Sequence, residues 1–364
     1  MKTYPIPMVP GPVRVPPQVF EAYCIDYGSG DLEIEFLELY NRTETNLQKL
    51  FATQNHIVIQ TGEGMLALWA ALKSCLLPGD RVLSIASGVF GYGISEMAQS
   101  IGATVRTVNL PYDQTISNWQ EIEQAIAEFR PKMITVVHCE TPSGTLNPLA
   151  ELGHLKKQYE VPLLYVDAVA SVGGTAVLVD DWKIDLALGG SQKALSVPPS
   201  LSFLAISESA WEVIDQVNYV GYEALKPFRT AQQNFYFPYT PYWHGIAALN
   251  AGAELVLHEG LQACFERHTT IAEYCRQRLT EIGYQLFPAP SAIPSPTVTA
   301  VYVPDGITWE EFDRKLRQRG LAVGGSYGPL AGKVFRLGHM GTQANRELVD
   351  QALNVLKDIL GEIR

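Results

Sequence analysis

Six short apolar runs rich in β-branched residues recur along the first two thirds of the chain, separated by stretches of helical periodicity. They are HIVIQT (56–61), RVLSIAS (81–87), MITVVH (133–138), PLLYVDA (162–168), LALGGS (186–191) and LSFLAIS (201–207). This alternation implies a mostly parallel sheet covered by helices. Ser117, with Gln120 three residues on, predicts a capped helix start, Ile122, Ile126 and Phe129 share one face, and Pro131 marks the stop. From 241 to 284 the pattern is helical and long, and TVTAVYVP (297–304) then opens a second βα arrangement. There Thr308 and Glu311 form another capping box, and Leu348, Ala352, Val355 and Ile359 line a C-terminal helix. The expected organisation is an N-terminal segment (1–19), a large α/β domain (20–259) and a smaller α/β domain (260–364).

At 364 residues and 47% hydrophobic content, the chain can bury the core that two domains require. Its 27 Lys and Arg against 38 Asp and Glu give a net charge of -11, which argues against nucleic acid or an anionic membrane as a partner. An anionic ligand must then be held by a local site. The opening MKTYPIPMVPGPVRVPP is broken by proline before an apolar leader can develop, and no run approaches the roughly 20 apolar residues of a spanning helix. A cytoplasmic location is expected. Cys24, Cys75, Cys139, Cys264 and Cys275 form no CxxC pair and read as buried free thiols. The seven histidines have no metal-ligand spacing, so no metal is expected.

Ligands of open parallel sheets collect beyond the carboxyl ends of the strands. Three features lie at such positions. TGEGM (61–65) joins a strand to a helix, with glycines that let backbone amides approach an anion. Asp167 follows the apolar run LLYV, and Lys193 follows LALGG. Each has a plainer reading: an ordinary turn, a helix cap, a solvated lysine. Together they form the set that pyridoxal 5'-phosphate (PLP) requires: a phosphate cradle, an acid facing the pyridine nitrogen and a Schiff-base lysine. A nicotinamide dehydrogenase is the rival, since Gly62–Ala67 fits GxGxxA, but the next strand ends in Ser87 and Gly88 rather than in the acid that holds a ribose.

VDAVASVGG (166–174), GGSQKALSVPP (189–199), HCETPSGTLNP (138–148) and PGPVRVPPQV (10–19) resemble the class V aminotransferases, specifically the alanine-glyoxylate and serine-pyruvate group. The likeness runs from about residue 9 to the end. It implies fold type I, PLP as cofactor, and a homodimer with active sites at the subunit interface. The expected activity moves the amino group of alanine or serine to glyoxylate or pyruvate. By motif, Lys193 matches the Schiff-base lysine and Asp167 the partner of the pyridine nitrogen. Phe90 in ASGVFG and Val169 match the residues packing the two ring faces, and Thr141 matches the hydroxyl near the phenol oxygen. Gln192 matches a phosphate contact, Thr240 in FPYTP a phosphate contact from the other subunit, and Arg336 in KVFRLGHMG the clamp on the substrate carboxylate.

One residue departs from that group. Glu63 stands where a small hydroxyl residue is usual, in the middle of the cradle whose Gly64 and Met65 amides would hold a phosphate. A carboxylate there repels a phosphate dianion by about a kcal/mol or more. Pyridoxamine-pyruvate aminotransferase, within the same family, resembles the chain at this point and at ASGVFG, TPSGT, SPTVTAV, FPYTP and GHMG. The resemblance implies phosphate-free pyridoxamine and pyridoxal as substrates, with Tyr27 in IDYGSG and Phe237 in their pocket. Alternatively, Glu63 turns outward and caps its helix. Both readings stay open on sequence alone.

Overall fold

A computed structural model of the chain describes residues 3–363. Residues 1, 2 and 364, at the ends of the expected first and last segments, lie outside the described residues. In chain order the strands are β1 (Ile6–Met8), β2 (His56–Thr61), β3 (Arg81–Ala86), β4 (Thr104–Asn109), β5 (Met133–Val137), β6 (Cys139–Glu140), β7 (Thr145–Leu146), β8 (Leu163–Asp167), β9 (Leu186–Gly190), β10 (Leu201–Ile206), β11 (Val298–Tyr302), β12 (Leu321–Gly325) and β13 (Val334–Gly338). The helices are α1 (Pro17–Tyr23), α2 (Ile34–Leu50), α3 (Gly64–Cys75), α4 (Val89–Ser100), α5 (Trp119–Phe129), α6 (Ala150–Gln158), α7 (Glu208–Val217), α8 (Ala231–Asn234), α9 (Trp243–Glu259), α10 (Leu261–Ile282), α11 (Trp309–Gln318) and α12 (Arg346–Ile363).

Seven strands form the main sheet in the order β2-β10-β9-β8-β5-β3-β4. β10 is antiparallel to both neighbours and every other pairing is parallel. The carboxyl ends of the six parallel strands therefore share one edge. MITVV of β5 and LLYVD of β8 are buried throughout, as expected for central parallel strands covered on both faces. The edge strand β4 is buried only at Val108. A four-stranded sheet, β1-β12-β13-β11, forms a second core with α10, α11 and α12. Its first strand comes from the N-terminal segment, since Ile6–Met8 pairs in parallel with Leu321–Val323.

Local signals hold with small shifts. Thr308 caps α11 by accepting from the Glu311 amide at 3.3 Å. α5 is capped by Asn118 rather than Ser117, its Oδ1 accepting from the Glu121 amide at 3.3 Å; asparagine is at least as good a cap as serine. The buried stripe of α12 is Val349, Ala352, Leu353, Leu356, Ile359 and Leu360, with Leu348 and Val355 at its margin. Cys24 is exposed, on the short turn after α1, whereas the other four free cysteines are buried. Among the described residues no helix is long and apolar enough to cross a membrane.

Candidate active site

Where the carboxyl ends of β2, β3, β5, β8 and β9 meet, one cavity is lined by Glu63, Gly64, Met65, Phe90, Thr141, Asp167, Val169, Gln192 and Lys193, together with Leu68, Cys139 and Ala170. Residues predicted from five separate segments thus converge. Asp167 ends β8, and its Oδ1 accepts from the Val169 amide at 2.9 Å. Burial pushes its carboxyl up to about 6, with nearby Glu63 adding to the rise and Val169 N–H and Lys193 opposing it. Val169 packs against the first residue of α3: a Cβ on Gly64 would meet Val169 Cγ2 at 3.1 Å.

Lys193 lies in the turn after β9, and its Nζ donates to the Pro10 carbonyl at 2.7 Å. The next residue, Gly11, has φ +109°, and a Cβ there would stand 2.7 Å from Nζ. Glycine meets both demands, backbone conformation and close passage. Burial, and secondarily the Arg336 guanidinium, push the Lys193 ammonium down to about 8 against the pull of Asp167 and Glu63. A neutral amine is accordingly accessible near physiological pH.

At the start of α3 Glu63 makes the helix cap expected of it, and its second oxygen turns towards the cavity residue Gln192. One carboxylate oxygen caps the helix, accepting from the Met65 amide at 3.1 Å. The other faces Gln192, whose Nε2 donates to it at 3.4 Å. Met65 N–H, one of the two amides expected to hold a phosphate, is therefore already taken. Gln192 Oε1 is buried with no hydrogen-bond partner among the described residues.

Arg336 sits on β13, 3% exposed, and does not line the cavity directly. Its Nε donates to the Gly325 carbonyl at 2.8 Å, and the Tyr327 ring lies 4.7 Å from its guanidinium carbon. Replacing Arg336 with lysine keeps the charge and loses the fork. We expect KM for both the amino acid and the keto acid to rise together by roughly 10- to 100-fold, the worth of a charge-assisted pair. Steady-state kinetics check this; equal wild-type turnover of decarboxylated amines would contradict a carboxylate clamp.

Tyr27, Phe237 and Thr240 lie away from this cavity. The Tyr27 ring stacks on Trp243 at 5.1 Å and its hydroxyl donates to the Ala22 carbonyl at 2.8 Å. Phe237 is buried between Phe36 and Tyr40, and Thr240 is exposed. The FPYTP segment is tied to the cradle all the same, because the Thr61 amide donates to Tyr239 Oη at 3.3 Å. Sequence reasoning did not single out Pro10, Tyr327 or Glu140. Glu140 is wholly buried and accepts from the amides of Phe90 and Gly91.

The profile of the family described as Aminotransferase class-V matches residues 20–335. An alanine–glyoxylate aminotransferase of Oryctolagus cuniculus is 33% identical over 367 residues, covering 96% of this chain and 91% of that protein. A pyridoxamine–pyruvate transaminase of Mesorhizobium japonicum is 32% identical over 359 residues, covering 96% and 90%. The crystal structure of an alanine–glyoxylate aminotransferase from Nostoc sp. superposes with a TM-score of 0.94 at 31% identity, covering 99% of this chain and 96% of that one. The chain belongs to the class V aminotransferases and is a transaminase of fold type I, acting between amino and keto acids.

Membership implies dependence on pyridoxal chemistry, and the cavity fits a pyridine. Asp167 offers a carboxylate to a ring nitrogen, Phe90 and Val169 offer apolar surface, Thr141 a hydroxyl and Lys193 an amine. When bound, such a group supplies an electron sink for the substrate carbon. Around such a group Asp167 would be a buried carboxylate, Leu68 and Ala170 would add apolar wall, and Lys193 Nζ would be an amine able to take up and return a proton.

Proposed function

We propose that this transaminase acts on a pyridine bearing a free hydroxymethyl group, moving the amino group of pyridoxamine to a small keto acid such as pyruvate. The Glu63 carboxylate at the N-terminus of α3 carries the reading. It brings a negative charge to a helix N-terminus, one oxygen accepting from Met65 N–H and the other from Gln192 Nε2. A phosphate dianion brought within 4 Å would meet repulsion of about 1–4 kcal/mol per charge pair. A hydroxyl is suited to the same place, because it can donate to Glu63 or to the unpartnered Gln192 Oε1. Similarity to the Mesorhizobium japonicum enzyme, a pyridoxamine–pyruvate transaminase, supports the assignment. The second reading, alanine or serine to glyoxylate with retained PLP, rests on similarity to the alanine–glyoxylate enzymes.

The two are separated by comparing pyridoxal formation from pyridoxamine and pyruvate with alanine-to-glyoxylate transfer in added PLP. The first reaction should dominate, and the chromophore should leave on dialysis. Glu63→Ser should shift the binding preference towards PLP by roughly 10- to 100-fold. A wild-type protein that retains PLP through dialysis and ignores pyridoxamine would overturn the phosphate-free reading.

The same reading includes a homodimer, with Thr240 presented to the other subunit's site. Its exposure outside its own cavity supports this, as do the exposed Tyr222 and Tyr236 on the same stretch of chain. A cytoplasmic location accords with five unpaired cysteines.

A further inference from the structure

Glu140 ends the two-residue strand β6 and is wholly buried, immediately before Thr141. Its Oε1 accepts from the Gly91 amide at 2.7 Å and its Oε2 from the Phe90 amide at 3.2 Å. Both donors belong to the first turn of α4, whose N-cap residue, Gly88, has no side chain to satisfy them. The usual device is a Ser, Thr, Asp or Asn at the N-cap itself. Here the acceptor comes instead from a hairpin 49 to 50 residues further along the chain. Room has been made for it. A Cβ on Gly88 would stand 2.6 Å from Glu140 Oε2, and one on Gly91 would stand 3.3 Å from Oε1 and 3.0 Å from the Ala86 Cα. A buried carboxylate is costly where no cation pairs with it, and burial pushes this one up to about 8.

The contact joins two walls of the cavity. Phe90 is on one side of the bonds, and Thr141, one residue from the carboxylate, is on the other. We infer that Glu140 is a positioning residue: by clasping the first turn of α4 it fixes the Phe90 ring at the height and tilt needed to pack on the pyridine. A cap supplied by residue 88 would satisfy the same amides and leave α4 free to shift relative to the β6–β7 hairpin. The inference rests on the transaminase site with Phe90 as a ring contact, and it holds whether or not the pyridine carries a phosphate.

The test is binding rather than turnover. Dissociation constants of pyridoxamine and of PLP are measured by equilibrium dialysis on the unloaded wild type, Glu140→Gln, Glu140→Ala, Phe90→Leu and the Glu140/Phe90 double variants, with Tm recorded for each. Glu140→Ala should weaken binding of the preferred pyridine roughly tenfold, and Glu140→Gln, which keeps the shape and one acceptor, by less. In the Phe90→Leu background the Glu140 effect on binding should shrink to within about twofold, while its effect on Tm persists. If Glu140→Ala does not fold, the Gln variants carry the same cycle. Equal weakening with and without Phe90, or unchanged affinity in a Glu140 variant, would make Glu140 a structural cap only. Unchanged affinity in Phe90→Leu alone would overturn the inference at the ring contact.

Discussion

Replacing Lys193 with alanine is expected to lower transamination by roughly 10⁴-fold or more if, as proposed, its amine is both the covalent attachment point and the proton carrier. The fold should survive. Lys193 lies in a turn beyond β9, its Nζ bonded to the Pro10 carbonyl, and already lines a cavity, so truncation widens that cavity rather than opening one in the core. Far-ultraviolet circular dichroism and Tm should stay close to wild type. The pH dependence is a second signature. The Lys193 ammonium is held at about 8, below the ordinary 10.5, so the neutral amine gains population as pH rises through 8. Wild-type single-turnover rates should climb between pH 7 and 9, and the alanine variant should lose that limb. Substantial residual transamination in Lys193→Ala would remove the residue from the centre of the chemistry.

The strands were legible because burial left them few alternatives. A run such as LLYV followed by Asp is apolar on both faces, which suits a central parallel strand, and β8 ends at Asp167. The cavity was legible for a related reason. Glu63, Phe90, Asp167 and Gln192 all stand at or just beyond a strand's carboxyl end, where the topology gathers them. Helix starts were less certain, since Ser117 and Asn118 are both competent caps one residue apart, and Asn118 takes the role. Glu140 was invisible because its meaning depends on the hairpin folding back onto α4, a juxtaposition that no spacing along the chain encodes. Tyr27, Phe237 and Thr240 lie on loops outside the strand-end rule. The placement of Tyr27 on Trp243 and of Phe237 against Phe36 follows from aromatic packing between distant segments.

Asp167→Asn is expected to reduce turnover by roughly 10²- to 10³-fold, the scale found when a preorganised electrostatic partner is removed. The substitution is nearly isosteric. The Asn Oδ1 can still accept from the Val169 amide, as Asp167 does at 2.9 Å, so the change isolates charge from shape. If Asp167 faces the ring nitrogen as proposed, losing its charge would leave that nitrogen less readily protonated and the ring a weaker electron sink. Affinity for the pyridine should fall far less than turnover, since Phe90, Val169 and Thr141 remain on the cavity wall. The carboxyl of Asp167 is raised to about 6 by burial, so the charged form that pairs with a protonated ring is present above that pH and lost as pH falls through it. Pyridine binding to the unloaded wild type should therefore weaken on acidification through about 6, and the Asn variant should lack that dependence. Titrating both proteins with pyridoxamine between pH 5 and 8, with turnover measured in parallel, decides the matter. An unchanged rate in Asp167→Asn would leave Asp167 as the cap of its own turn, bonded to Val169, with no part in holding the ring.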